Sequence, residues 1–243
     1  MNTGMRKVIL ALLLMVPMLC SAQLRVPEED DIREKVLRKD SPYHLPTQLQ
    51  RYYNNDTTLT ADDYFYLYYG YIYSPEYRPL RSIPANDKIL TVFLGGEEPD
   101  AEGMEKLIEY AQEALYSDPF SPQNLNYLVY AYGSLGDTIN ERIYYDKMQA
   151  ILSVIDNSGT GKSASSPKHI LWFSHATDLL TSQGSEITDR QVVRKDVEYV
   201  YLKERDENKQ KGYYFHFGRI YQDAPEEAPE KKRTWEFNNF KMQ

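Results

Sequence analysis

Three segments of this chain align without gaps and repeat one helical template, which favours a fold of packed helices. They are Thr60–Tyr71, Ser121–Tyr132 and Ser166–Thr177. Each begins with a hydroxyl residue that can cap a helix, followed by Ala or Pro at the first helical position. Two large apolar residues and a small one then recur at three-residue steps along one face, so that a neighbouring helix can approach closely. These positions are Tyr64, Leu67 and Gly70, then Leu125, Leu128 and Ala131, then Ile170, Phe173 and Ala176.

Two further amphipathic helices are predicted between and after these copies. Apolar residues recur at helical spacing from Ala101 to Tyr116 and from Ile139 to Ile155. Gly136 and Asp137 predict a turn before the second of these helices. The pattern is therefore one helix pair after another.

The unit around the second copy resembles a tetratricopeptide repeat over about one repeat length. The residues that carry the resemblance are Asp118-Pro119, Leu125, Leu128, Ala131, Tyr132, Gly136-Asp137 and Tyr144-Tyr145. Glu141 departs from the family, which usually has Ala there, and the other two copies match less closely. The resemblance implies helical hairpins stacked into an α-α superhelix.

The end of the chain has a different pattern. Val197–Lys203 and Gly212–Tyr221 are rich in Tyr, Val and Phe and flank a polar stretch, which predicts a β-hairpin. Trp235–Phe240 could add a short third strand. Ser74–Asp100, with four prolines, is interpreted as an irregular insertion. The predicted fold class is mainly α with a small C-terminal β-hairpin, divided into a helical domain at 23–190 and a hairpin extension at 191–243.

Residues 1–22 are typical of a secretory signal peptide. Arg6 and Lys7 precede an apolar run from Val8 to Met18, and Cys20-Ser21-Ala22 supplies small residues for cleavage. Cleavage after Ala22 is favoured over lipidation of Cys20, because Leu19 stands where a lipoprotein has a small residue. The expected location is extracytoplasmic, in the periplasm or at the cell surface. No transmembrane segment is expected in the mature chain.

The charge and the cysteine content of the chain limit the kinds of partner and ligand that the mature protein is expected to bind. The formal charge is −8, and it becomes −10 when Arg6 and Lys7 leave with the leader. Such a charge disfavours nucleic acid. Cys20 is the chain's one cysteine, so the mature protein would have no disulfide and no cysteine ligand for a metal.

The whole chain also resembles an uncharacterised family of secreted proteins from Bacteroidetes, domain of unknown function 4919. The resembling features are the Asn55–Thr60 run, the tyrosine-rich helix that ends at Tyr69-Gly70-Tyr71, and the Gly159-Thr160-Gly161 loop. The resemblance implies a periplasmic or surface protein and no known activity.

The helical template also predicts a binding surface. In tetratricopeptide-like helices, the residues one step from the packing positions face a concave groove, which in the first copy assigns Asp62, Phe65 and Tyr69 to it. Aromatic side chains there suit a peptide or glycan, because they bury area with little loss of side-chain entropy. The competing interpretation is core packing, since 10 of the 22 tyrosines lie between Tyr43 and Tyr77 at helical spacing. The candidate binding residues are Phe65, Tyr69, Asn126, Tyr130, Lys168 and His175.

No motif in the chain predicts catalysis, a cofactor or a metal site. Ser158–Ser163 resembles the end of a phosphate-binding loop, but Asp156 stands at the first glycine position and a helix precedes the loop instead of a strand. The histidines lack metal-ligand spacing. They are His44, His169, His175 and His216.

These patterns lead to three functional hypotheses. The first is a secreted helical-repeat module that binds a protein, peptide or glycan in the cell envelope without catalysis. The alternative is an extracytoplasmic hydrolase that acts on a glycan or peptide through carboxylates brought together by the fold. The third is a purely structural envelope protein, whose groove would be filled by the C-terminal hairpin.

Overall fold

The computed structural model describes residues 24–94 and 98–222, which are mainly helical with one small sheet. They form eight α-helices, α1 Glu29–Leu37, α2 Leu45–Tyr53, α3 Ala61–Gly70, α4 Pro84–Val92, α5 Ala101–Ser117, α6 Pro122–Ser134, α7 Thr138–Asp156 and α8 Phe173–Ser182. The strands are β1 Lys168–His169, β2 Ile187–Arg194, β3 Val197–Leu202 and β4 Gly212–His216. Short 3-10 helices cover Tyr71–Tyr73 and Gly218–Tyr221. The predicted fold class is confirmed.

Two copies of the repeated template begin helices at the predicted caps. The Thr60 side chain accepts a hydrogen bond from the Asp63 amide, and the Asp63 carboxylate accepts one from the Thr60 amide, which completes a capping box at α3. At α6 the Ser121 side chain accepts from the Asn124 amide. These contacts satisfy backbone donors that lack partners within the helix.

The third copy does not form a helix at its start. Residues 168 and 169 form β1, which pairs in parallel with β4, and α8 begins only at Phe173. The Ser166 hydroxyl does not cap α8, since it accepts a hydrogen bond from the Thr160 amide. The backbone that the template assigns to a helix is therefore used by the sheet and by the preceding loop.

Helix α3 lies at the centre of the fold. It packs against α1, α2 and α7, and its residues 63–70 are all buried. A helix that is buried all round is apolar or aromatic on every face, which explains its run of tyrosines. Gly70 is the small residue that the template predicts, because a Cβ atom there would lie 2.6 Å from Cγ1 of Val36 on α1.

Helices α4 to α7 pack in chain order, each against the next. The predicted irregular insertion at Ser74–Asp100 is wrong in part, since it contains α4. Pro84 occupies the first turn of α4, and Ala85 and Ile89 are buried in a cluster with residues of α5 and α6. A proline followed by apolar residues four positions apart is the local signal for this helix.

The sheet has the strand order β1-β4-β3-β2. The antiparallel hairpin of β3 and β4 matches the predicted hairpin, and Val200 and Phe215 bury its inner face in the core. Strand β2 pairs antiparallel with β3 and contains the predicted domain boundary at 190/191. Trp235–Phe240, where a third strand was predicted, lies outside the described residues.

None of the helices within 24–94 and 98–222 has the length and apolar character needed to cross a bilayer. The predicted leader at 1–22 lies outside the described residues.

Candidate binding site

The six predicted binding residues do not form one stripe. Phe65, Tyr69, Lys168 and His175 are each less than a tenth exposed, whereas Asn126 is exposed and Tyr130 partly exposed on α6. The Tyr69 hydroxyl donates to the His169 carbonyl at 3.1 Å, and the Lys168 ammonium donates to the Asp156 carbonyl at 2.6 Å. The Tyr130 hydroxyl donates to Glu98 Oε1 at 3.1 Å. Of the six, Phe65 and Lys168 line cavities, and the two cavities are different.

The His175 ring on α8 is the centre of a buried polar network. Its Nδ1 lies 2.8 Å from the Tyr68 hydroxyl of α3, and its Nε2 lies 3.0 Å from Asp118 Oδ2, just before α6. With the hydrogen on Nε2, the ring donates to Asp118 and accepts from Tyr68. The Tyr68 hydroxyl also accepts from the Leu171 amide at 3.2 Å. The network therefore joins α3 and α8 to the segment that leads into α6.

A second carboxylate, Asp178 of α8, lies near this network, and its burial disfavours the ionised form. Burial raises the pKa of Asp178 to about 6, and the nearby Asp118 carboxylate adds to the rise, while His175 and Arg190 oppose it. Its Oδ2 is buried and has no hydrogen-bond partner among the residues that the structure describes. Such a group destabilises the folded protein when it is ionised.

The pKa of Asp178 predicts a change in stability with pH. Because the folded state holds this proton more tightly than the unfolded chain, the contribution of Asp178 to stability falls as pH rises from 3.8 to about 6. At pH 7 the Asp178→Asn variant should gain about 1–3 kcal/mol in its free energy of unfolding. Urea denaturation at pH 7 and pH 4 measures this, and the gain should disappear at pH 4. An equal gain in Glu207→Gln, a change on an exposed loop, would contradict the assignment to Asp178.

A cavity of about 440 Å³ opens between α3 and α7, and we call it the α3–α7 pocket. Pockets that hold small organic ligands usually measure about 300–1000 Å³. The apolar part of its lining is Leu59, Tyr64, Phe65, Ile143, Ala150 and Val154, and its charged part is Arg25, Asp56, Asp62, Asp146 and Lys147. An apolar lining with a few charged groups is typical of binding sites.

A larger cavity of about 800 Å³ lies beside Asp156, Lys168 and the 203–208 loop. Most of its lining consists of polar and charged side chains, several of them on exposed loop positions. It offers a ligand little apolar contact, so the α3–α7 pocket is the stronger candidate site.

Lys147 of α7 is the buried cation of the pocket lining, with 6% of its surface exposed. Its ammonium donates to the Tyr52 carbonyl at 2.8 Å and to Asn55 Oδ1 at 2.5 Å, and it lies 4.3 Å from the centre of the Tyr52 ring. Burial lowers the pKa of Lys147 to about 8. These contacts fix the end of α2 and the residues that follow it. They also direct the ammonium toward oxygen atoms of the protein.

The three carboxylates of the lining are each paired with an arginine. Asp62 meets Arg25 at 2.5 Å, Asp56 meets Arg51 at 2.7 Å and Asp146 meets Arg142 at 2.8 Å. The Thr58 hydroxyl and amide, with Arg51, lower the pKa of Asp56 to about 2. Paired carboxylates of this kind suit the orientation of a ligand more than proton transfer.

Backbone amides of the Ser158–Ser163 loop already donate hydrogen bonds within the loop and to Ser166. The Gly161 amide donates to the Ser166 carbonyl, the Thr160 amide to the Ser166 hydroxyl and the Lys162 amide to the Thr160 hydroxyl.

Among the residues that the structure describes, no three His, Cys, Asp or Glu side chains are grouped as metal ligands.

The family model of a domain of unknown function, DUF4919, matches residues 30–225. The chain belongs to this family. The predicted resemblance to it is therefore confirmed, and the match covers all of the pocket lining except Arg25. No curated protein and no solved structure matches the chain.

Sequence reasoning missed four of the five charged residues of the pocket in this DUF4919 chain, among them Lys147 and Arg25. Lys147 occupies a helical position between the apolar residues Tyr144 and Ile151, and a lysine on a core-facing helix position is the signal that could have revealed it. Arg25 lies before α1, and no local pattern places it at α3. Asp62 and Phe65 had been assigned to the predicted groove and do line the pocket.

Proposed function

We propose that this DUF4919 protein is a non-enzymatic binding module that takes part of a protein, peptide or glycan into the α3–α7 pocket. The observation that carries the proposal is the combination of an apolar floor with arginine-paired carboxylates in one cavity. The floor buries ligand surface, and the charged groups orient the ligand without exchanging protons with it.

An extracytoplasmic location is part of the same proposal. It rests on the cationic start, the apolar run and the small residues of 1–22. We also propose a Bacteroidetes origin, from the resemblance carried by the Asn55–Thr60 run and the Gly159-Thr160-Gly161 loop. We propose tetratricopeptide-like packing for α6 and α7, because α6 follows Asp118-Pro119, α7 follows Gly136-Asp137 and the two helices pack against each other.

The alternative proposal, a hydrolase, requires a carboxylate that keeps its proton near neutral pH beside the ligand. Asp178 has such a raised pKa, but it lies near His175 and Asp118 and does not line the α3–α7 pocket. Inside the pocket, Asp56 has a lowered pKa. The geometry therefore supports binding more than hydrolysis.

Filling the pocket should abolish binding. Ala150 lies in the pocket lining on α7, and an Ala150→Trp side chain would occupy the space above Phe65 and Val154. Saturation-transfer NMR with a set of capped tripeptides and a set of neutral and acidic disaccharides should show binding of one class to the wild-type protein. Ala150→Trp should weaken that binding at least about tenfold, a loss of about 1.4 kcal/mol.

The matched control is Gln149→Trp, because Gln149 is exposed on the same helix and does not line the pocket. It should bind as the wild type does. Absence of binding of both ligand classes to the wild type would overturn the proposal, as would equal binding to the two tryptophan variants.

A further inference from the structure

Arg25 lines the α3–α7 pocket and makes two kinds of contact with α3. Its guanidinium carbon is 3.7 Å from the centre of the Phe65 ring and 4.8 Å from that of Tyr66. One guanidinium nitrogen is 2.5 Å from Asp62 Oδ1. An aromatic face together with a carboxylate is the chemistry by which proteins bind organic cations.

Arg25 belongs to a segment that lacks helical support. Residues 24–28 precede α1 and have no regular secondary structure. The segment is held by the Arg25 amide, which donates to the Asn157 carbonyl at 2.8 Å, and by the Pro27 carbonyl, which accepts from Arg219 at 3.0 Å. Both bonds use backbone atoms of the segment, so the Arg25 side chain can leave α3 without breaking either of them.

The charge of the lining favours a cation in the place of Arg25. Of the three carboxylates of the lining, Asp56 and Asp146 are paired with Arg51 and Arg142, whereas Asp62 is paired with Arg25. The other cation of the lining, Lys147, is engaged by the Tyr52 carbonyl, Asn55 and the Tyr52 ring. Displacement of Arg25 therefore leaves the Asp62 carboxylate and the Phe65 face open to another cation.

We propose that the Arg25 side chain occupies a guanidinium subsite and that the ligand of the pocket is a peptide segment whose arginine side chain displaces it. This inference rests on the proposed function and names its ligand class. The incoming guanidinium stacks on Phe65 and pairs with Asp62, while the flanking peptide covers the apolar floor. Arg25 then acts as an internal competitor that lowers the apparent affinity.

The test uses two capped tripeptides, acetyl-Gly-Arg-Gly-amide and its citrulline counterpart, which has nearly the same shape without the charge. Removing an internal competitor that fills the subsite about nine-tenths of the time raises the apparent affinity about tenfold. We therefore expect Arg25→Ala and Arg25→Gln to bind the arginine peptide about tenfold more tightly than the wild type in calorimetric titrations. The citrulline peptide should bind both variants at least about tenfold more weakly than the arginine peptide.

The control is the Asp62→Asn change added to Arg25→Ala, which should cancel the gain for the arginine peptide. Thermal melts confirm that each variant is folded. Equal affinity of the arginine and citrulline peptides for Arg25→Ala, or no gain over the wild type in both Arg25 variants, would overturn the inference. If a disaccharide binds the wild type and Ala150→Trp abolishes this binding, while the arginine peptide binds no variant, the arginine subsite is refuted. The proposed binding function would still hold in that case.

Discussion

The His175→Leu variant is expected to lose about 3–5 kcal/mol in its free energy of unfolding, because it leaves a buried carboxylate without its partner. Asp118 is 2% exposed, and its Oδ2 faces His175 Nε2. Leucine fills much of the volume of the imidazole but donates no hydrogen bond. The Tyr68 hydroxyl loses its acceptor in the same change.

Urea denaturation followed by circular dichroism measures this loss. Tyr68→Phe removes one hydroxyl from the same network and should cost about 1–2 kcal/mol. The exposed Tyr116→Phe is the matched control and should stay within about 0.5 kcal/mol of the wild type. In the double variant His175→Leu/Tyr68→Phe, the loss should be smaller than the sum of the single losses, since both changes break one shared contact.

An His175→Leu loss below about 1 kcal/mol would show that water reaches Asp118, since a solvated carboxylate does not need the histidine. Additive losses in the double variant would contradict the shared network.

The Gly159→Ala variant is expected to lose about 3 kcal/mol or more, because the added Cβ atom meets backbone that cannot move aside. At Gly159 this atom would lie 1.9 Å from the Pro167 carbonyl oxygen. Pro167 is joined to β1, which pairs with β4 in the sheet. Relief of the overlap would therefore shift the edge of the sheet.

Gly184→Ala is the control for this prediction. Gly184 has a φ of +78°, and apart from its chain neighbours no atom of the described residues lies within 4 Å of the added Cβ. Alanine there should therefore cost only the conformational strain of about 1–2 kcal/mol. Urea denaturation compares the two variants. Equal losses would mean that the loop relaxes freely and that Gly159 is not needed for packing.

The Gly159 result also bears on the phosphate-loop resemblance of Ser158–Ser163. In a phosphate-binding loop the glycines let backbone amides wrap an anion. Here Gly159 allows contact with Pro167, and Gly161, at a φ of +65°, donates its amide to the Ser166 carbonyl. The packing of this loop against β1 therefore explains both glycines without a bound nucleotide.

Helix starts could be predicted from sequence wherever the capping residues serve their own helix. Thr60 and Ser121 both do so, and α5 and α7 follow from helical spacing alone. Ser166 has the same local chemistry, but its hydroxyl bonds to the Thr160 amide. The template was therefore correct in two copies and failed in the third, where a neighbouring loop competes for the cap.

The candidate site shows the same division. Asp62 and Phe65 could be placed near a ligand from the helical template, and Lys147 has a local signal in its core-facing helix position. Arg25 could not be placed, since it reaches the pocket through contacts with residues distant in the chain. Tyr69 and His175 have the aromatic or polar character of binding residues, but burial makes them part of the core.

Local sequence decided the helical class, the capped starts of α3 and α6 and the C-terminal hairpin, because caps, helical periodicity and turn chemistry act between residues only a few positions apart. The tertiary structure alone decided that Lys168–His169 joins the sheet, that the tyrosines of α3 form the core and that Arg25 lines the pocket. Strand pairing, burial and ion pairing depend on partners far along the chain, so the same side chain has a different role according to what the fold places against it.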